Sequence, residues 1–198
     1  MKVRFGSVLT GILAVIVSAA TSAAQTSHPS PTPAFLTTLK HGQWIQLEGI
    51  PQKDLSVICT EVKVLTGDFL DDDWELRGMV HDLDPAAHEF SVGRYRVHLK
   101  AGVEYDDDDD DDAGKFKSFS DLHPGRFVKV EGTYLKDGTF LAKEINDESG
   151  KVVRKPGIEQ SIKIVGKIET VNPTRLTIAA MGSRFLVDDK TKLKSVIK

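Results

Sequence analysis

Cysteine is all but missing from this chain: Cys59 stands alone among 198 residues. No intramolecular disulfide can therefore staple it, and no cluster of thiolates can hold a metal ion. Aromatic residues are sparse, at 7%. No glycine-rich phosphate loop, nucleophile elbow or dinucleotide fingerprint occurs, so the recognisable routes to phosphoryl, acyl and hydride transfer are excluded. Carboxylates are abundant, but none forms a recognisable pair in an apolar setting that would raise one pKa for acid catalysis. Beyond the first residues, no run approaches the roughly 20 apolar side chains of a membrane-spanning helix. Nor does any stretch keep helical spacing of apolar residues for more than about two turns. What remains possible is a mainly β protein without covalent reinforcement.

The N-terminus carries Lys2 and Arg4, a largely apolar run from Val8 to Val17, and the small-residue stretch Ser18 to Ala24. That pattern is a secretory signal peptide, with cleavage expected after Ala24 and an exported product in the periplasm or outside the cell. Removing Lys2 and Arg4 takes the formal charge from −3 to −5. Export and negative charge both oppose nucleic-acid binding. The balance is uneven: residues 25–150 carry 13 basic and 25 acidic side chains, whereas 151–198 carry 11 and 4. Opposite fields of this kind can hold two parts of one molecule, or two copies, together.

The strongest internal signal is repetition. Leu39-Lys-His-Gly-Gln-Trp-Ile-Gln-Leu-Glu-Gly49 recurs as Leu122-His-Pro-Gly-Arg-Phe-Val-Lys-Val-Glu-Gly132, and Gly78-Met-Val-His-Asp-Leu-Asp-Pro85 is echoed by Gly166-Lys-Ile-Glu-Thr-Val-Asn-Pro173. Within the first pair Ile45 and Leu47, and Val128 and Val130, alternate with polar residues, as half-buried strands do. Lys136-Asp137-Gly138-Thr139 is a tight turn, followed by a return strand from Phe140 to Ile145. The first copy has Leu55 where the second has Gly138, so a different turn geometry is expected there. Leu76–Leu83, Phe90–Gly93 and Tyr95–Leu99 read as further strands, and Lys115–Leu122 as one short helical turn plugging a barrel end.

These units set the expected organisation: residues 1–24 a signal peptide, 25–34 a flexible leader, and 74–147 one complete β-barrel unit. Residues 35–65 and 162–195 are complementary half units. They can close on each other as a second barrel or exchange between chains to give a homo-oligomer. The fold class is mainly β, in small barrels of the oligosaccharide- and oligonucleotide-binding (OB-like) type, duplicated.

The order Gly78-x-Val80, Asp84, Phe90-x-Val92, an acidic stretch, Phe119-x-Asp121-Leu122-x-x-Gly125-x-x-Val128-x-Val130-x-Gly132, Asp137-Gly138-Thr139 and Leu141-Ala142-x-x-Ile145 resembles the bacterial family named domain of unknown function 5666. The likeness covers roughly residues 74–147. It implies an exported β-barrel module, often repeated, with no established enzymatic activity and no catalytic motif to carry over.

Two sets of residues are candidates for chemistry. Asp106, Asp107, Asp108, Asp109, Asp110, Asp111 and Asp112 form an unbroken acidic run that must be solvated, paired or neutralised. It reads either as a solubilising loop or as a weak site for Ca2+ or another hard cation, although it lacks EF-hand spacing. Asp68 and Asp71–Asp73 form a smaller acidic cluster, and His81 with His88 is a weak transition-metal pair with no third ligand in view. Trp44, Phe127, Tyr95, Arg94 and Arg96 are candidates for a partner surface, Trp44 and Phe127 alternatively covering barrel ends. Cys59 reads as a small buried strand residue, with a reactive thiol or metal ligand as the alternative. The expectation is an exported, non-catalytic binding or structural module of the cell envelope whose partner is an envelope protein or polymer. A hard-cation binder is the alternative, and an enzyme of unrecognised type comes third.

Overall fold

The computed structural model describes residues 31–107 and 116–195, with only the backbone of Pro31, Asp107 and Ser195. The signal peptide, the first part of the leader and Asp108–Asp112 lie outside the described residues. The chain opens with α1 (Pro31–Thr38), then β1 (Trp44–Pro51), β2 (Ser56–Val64), β3 (Trp74–Asp84), β4 (Glu89–Val92) and β5 (Tyr95–Asp107). A 3-10 turn at Phe119–Asp121 leads to β6 (Phe127–Tyr134) and β7 (Thr139–Asp147). Next come α2 (Ser149–Arg154), a second 3-10 turn at Ile158–Gln160, β8 (Ile162–Asn172), β9 (Thr177–Ala180), β10 (Ser183–Leu186) and β11 (Lys192–Ser195).

Five strands close a barrel. β3 pairs with β4, β4 with β5, β5 in parallel with β7, β7 with β6, and β6 returns to β3. The other strands also return on themselves through their pairings: β8 with β9, β9 with β10, β10 in parallel with β2, β2 with β1, and β1 with β8. β11 extends the parallel pairing along β2. The two rings meet where Glu75, Leu76 and Arg77 of β3 pair antiparallel with Val165, Ile164 and Lys163 of β8. Leu76 and Ile164 are fully buried at this seam; burying a side chain of that size is worth roughly 1.5–3 kcal/mol.

Local details of the two rings correspond. Gly49 faces Cys59 across a bulge that begins at Glu48, and Gly132 faces Ala142 across a bulge that begins at Glu131. A Cβ on Gly49 would stand 2.3 Å from the Ile58 carbonyl oxygen, and one on Gly132 would stand 2.1 Å from that of Leu141. Only glycine admits so close an approach of strand to strand. Val97 pairs with Phe140 in one ring and Phe185 with Val57 in the other, so each places one phenylalanine and one valine at that level.

Two expectations need correction. Residues 31–34 are not part of a flexible leader: Pro31, with no N–H to lose, starts α1, and the helix buries Leu36 while the Thr32 hydroxyl donates to the Asp188 carbonyl. The β1–β2 turn also has the same geometry as the β6–β7 turn. The Leu55 N–H donates to the Gln52 carbonyl and the Gly138 N–H to the Leu135 carbonyl, both at 3.0 Å. Asp54 and Asp137 each accept the N–H two residues on. Leu55 is therefore forced to φ 66° where Gly138 sits at 89°.

A leucine in that left-handed region costs about 1–2 kcal/mol. Leu55→Gly is accordingly expected to raise stability by about 1 kcal/mol, less the chain entropy that glycine adds to the unfolded state. Urea unfolding checks this, and an unchanged or lower midpoint would contradict the strain.

Candidate functional site

Where β1–β2, β4–β5, β8 and β10 come together, the two rings leave an apolar pocket of about 290 Å³. Pro51, Gln52, Leu55, Ser56 and Val57 come from the β1–β2 hairpin, Ile162 and Ser183 from β8 and β10 of the same ring, and Gly93, Arg94 and Tyr95 from the β4–β5 turn of the first barrel. The fold produces it because short hairpin turns from both rings converge beside the seam. Tyr95 and Ser183 join hydroxyls at 2.6 Å. Burial pushes the Tyr95 phenol well above its usual range, so it stays protonated. Arg94 is exposed and its Nη1 donates to the Gly182 carbonyl at 3.1 Å. The guanidinium makes no carboxylate ion pair among the described residues. The lining is mostly apolar, with Gln52, Ser56, the Tyr95–Ser183 hydroxyl pair and Arg94 as its polar groups, the usual make-up of a small-molecule site.

Of the aromatic candidates for a partner surface, two are buried rather than exposed. Phe127 is only 1% exposed and Tyr95 2%. Phe127 packs beside the segment after β7, where Glu148 donates its N–H to the Phe127 carbonyl and Ser149 Oγ accepts the Phe127 N–H. Tyr95 points inward while Arg94 and Arg96 stay exposed on either side of it. Trp44 is half-buried and engaged: it stacks on Phe69 at 4.9 Å between centroids, meets Trp74 at 5.2 Å, and has the Lys167 ammonium 5.4 Å from its ring. The aromatic series continues from Trp74 to Tyr134 and from Tyr134 to Tyr95.

The acidic candidates fall into two groups. Asp71 pairs with Lys167 at 2.9 Å, while Asp72 and Asp73 lie 3.2 and 3.7 Å from Lys143. Asp71, Asp72 and Asp73 are thus paired with two of the protein's own lysines. Asp106 lies in β5 beside Asn146. Two residues earlier Glu104 faces Glu144, which in turn faces Glu131, so three glutamates stand in a row across β5, β7 and β6. Burial first, then Glu131, Glu104 and Asp106 raise the Glu144 pKa. Among the described residues, however, no group of three or more His, Cys, Asp or Glu is placed to hold a metal ion. His81 is taken up by Asp82 and the Gly93 carbonyl, each at 2.6 Å, and His88 packs edge-on against Phe119.

Sequence reasoning assigned none of the pocket residues Pro51, Leu55, Ile162 and Ser183 to a site, reading Leu55 and Ser183 only as turn residues. The signal was present in the repeat: its copies differ at Pro51 against Tyr134 and at Leu55 against Gly138.

With the first barrel spanning β3 to β7, its place among known proteins can be stated. Residues 77–146 match the family described as Domain of unknown function (DUF5666). The matched span runs from the middle of β3 to the penultimate residue of β7. No curated protein and no solved structure matches the chain.

Two outcomes follow from the burial and charge of these groups. Burial pushes the Cys59 thiol up to about 12, so the native protein should resist alkylation by iodoacetamide at pH 8 and react only on unfolding; rapid stoichiometric labelling of the native state, read by mass, would refute this. Glu144 titrates higher folded than unfolded, so its contribution to stability is full below the ordinary glutamate pKa and is lost as pH rises through the folded one. Glu144→Gln, which keeps an oxygen to accept the Asn146 amide, should raise the melting temperature at pH 7 and lose that advantage near pH 4. A gain of equal size at both pH values would show that charge is not its source.

Proposed function

We propose that this chain is an exported, non-catalytic module of the cell envelope built from two OB-like barrels, and that it binds its partner at their junction. One barrel comprises residues 74–147; the other is closed within the chain by residues 35–65 and 162–195. The observation that carries the binding reading is the apolar pocket beside the seam, lined from both rings around the Tyr95–Ser183 hydroxyl pair. Several features support the duplicated OB-like reading: the parallel pairing of β5 with β7 and of β10 with β2, the shared bulges at Gly49 and Gly132, and the short helical turn before β6. The sequence of residues 1–24 supports export. A barrel leaves few strand edges open, which suits an exported protein without a disulfide.

The alternative is loose binding of Ca2+ or another hard cation by Asp106–Asp112. What supports it is the unbroken run of seven carboxylates, whose oxygens suit such ions.

The test is to produce the chain with its own N-terminus, recover it from the envelope fraction, and weigh it natively with and without Ca2+. The reading expects a monomer shortened by residues 1–24, carrying an envelope component that survives gel filtration unchanged. Intact protein retained in the cytoplasm would defeat the export reading, turnover of the component the non-catalytic one, and strand-exchanged dimers the closure within one chain. A Ca2+-dependent rise in melting temperature that disappears on deleting residues 106–112 would select the alternative.

A further inference from the structure

We infer that the junction pocket takes a small planar aromatic compound bearing an anionic group, an inference that rests on the binding-module reading and names its ligand class. The argument comes from what fills the corresponding place in the other ring. Strand register identifies the counterparts. Ile162 opens β8 opposite Gly49, as Trp74 opens β3 opposite Gly132. Pro51 ends β1 opposite Val57, as Tyr134 ends β6 opposite Phe140. The β4–β5 turn at Gly93–Arg94 answers the β9–β10 turn at Met181–Gly182, and Tyr95 answers Ser183, with which it shares a hydrogen bond.

On the Trp74 and Tyr134 side the space is occupied by the chain itself. The Tyr134 ring sits 5.9 Å from Trp74 and 6.1 Å from Tyr95, and a Cβ on Gly182 would stand 2.8 Å from its hydroxyl. On the Pro51 and Ile162 side two aromatic rings are replaced by proline and isoleucine, and the pocket of about 290 Å³ stands there. Phe140 faces Val97 as Val57 faces Phe185, so each ring keeps one phenylalanine at that level, and Val57 lines the pocket. The space thus has the setting of a phenol or indole ring, with the wall of Tyr95 available for edge or offset packing.

The remaining asymmetries say what else the ligand carries. Arg94 lines the pocket and makes no carboxylate ion pair among the described residues; a guanidinium at the mouth of an apolar site recognises a carboxylate or phosphate by paired, charge-assisted hydrogen bonds. Leu55 adds an apolar wall, 59% exposed, at a position where the other turn uses glycine. The chain bears backbone strain there for a side chain that buries little of itself, as ligand-contacting residues do.

The probes are 4-hydroxyphenylacetate and indole-3-acetate, with p-cresol as the uncharged ring and cyclohexylacetate as the ring without aromaticity, titrated into the full exported chain by calorimetry and by Tyr95 and Ile162 NMR shifts. Saturable binding of the two anionic aromatics is expected, weaker for p-cresol and weakest for cyclohexylacetate. Arg94→Gln should weaken the anionic probes about tenfold, equivalent to about 1.4 kcal/mol, and leave p-cresol unchanged. Pro51→Tyr with Ile162→Trp, which transplants the residues of the filled side, should abolish binding of every probe while the circular dichroism and melting temperature stay native-like. If the anionic aromatics fail to saturate, or bind the filled variant undiminished, the inference is wrong. Should the filled variant still carry the envelope component of the preceding experiment, the pocket assignment falls and the binding module stands; should the wild-type chain carry no component at all, the binding module falls as well.

Discussion

The short antiparallel pairing of Glu75–Arg77 with Lys163–Val165 is the constraint on which the rest of the fold depends. The hairpin of β1 and β2 cannot bury Ile45, Leu47 and Val62 alone, because a two-stranded hairpin is marginal in water. Its partners, β8 and β10, arrive only after the whole first barrel has been traversed. Closing so long a loop costs free energy that grows with the logarithm of its length. The first barrel reduces that cost: β3 follows β2 after a short connector, and β8 follows β7 through α2 and a 3-10 turn, so both enter the seam from one folded body. The seam also sets register. A one-residue slip of β8 would turn Ile162, Ile164 and Ile168 out of the core, so the pairing at Leu76 and Ile164 decides which face the second ring closes around.

Charge follows the same geometry. The basic excess of residues 151–198 is spent against acidic groups from earlier in the chain: Lys163 meets Glu75, Lys167 meets Asp71, Lys194 meets Glu61 and Arg184 approaches Asp54. Most of these pairs are partly exposed and contribute little each. The pair of Arg77 with Glu148 at 2.9 Å is different, for the Glu148 side chain is nearly inaccessible. Burying such a pair adds little net stability, and each partner has a second ion pair, Glu148 with Lys151 and Arg77 with Glu75. Its consequence is directional, tying β3 to the segment that carries the chain from β7 to β8.

Much of this was legible in residues. The alternation at Ile45 and Leu47 and at Val128 and Val130 and the turn at Asp137-Gly138 act over one to four neighbours, the range that strand and turn patterns encode. What acts across the fold was not. Phe127 stands where alternation allows an outward face, and only the packing of the 148–160 segment against β6 buries it. Leu55 defied the rule that a leucine avoids positive φ because the hairpin register and the Asp54 carboxylate determine the turn more strongly than the side chain opposes it. The pocket went unread because it is defined by residues missing from one side, and its signal appears only when Pro51 is set beside Tyr134 in the other copy of the repeat.

That comparison bears on how a repeated fold acquires a site. Two rings of strands that meet through β3 and β8 place corresponding positions on both sides of the seam, and a position filled on both sides offers nothing to a ligand. Tyr134 and Trp74 complete one side of the junction with the chain's own aromatic rings and so contribute to packing, with Tyr134 against Gly182 as part of the contact between rings. Pro51 and Ile162 withhold the same contribution on the other side without disturbing the strands, since proline is tolerated at a strand end and isoleucine keeps the inward face of β8. The stability of the assembly can then rest on the filled side and on the seam, while the open side remains free to exchange an occupant with solvent. One barrel alone could not divide the two tasks, because the filled counterpart that keeps the rings in contact would be missing.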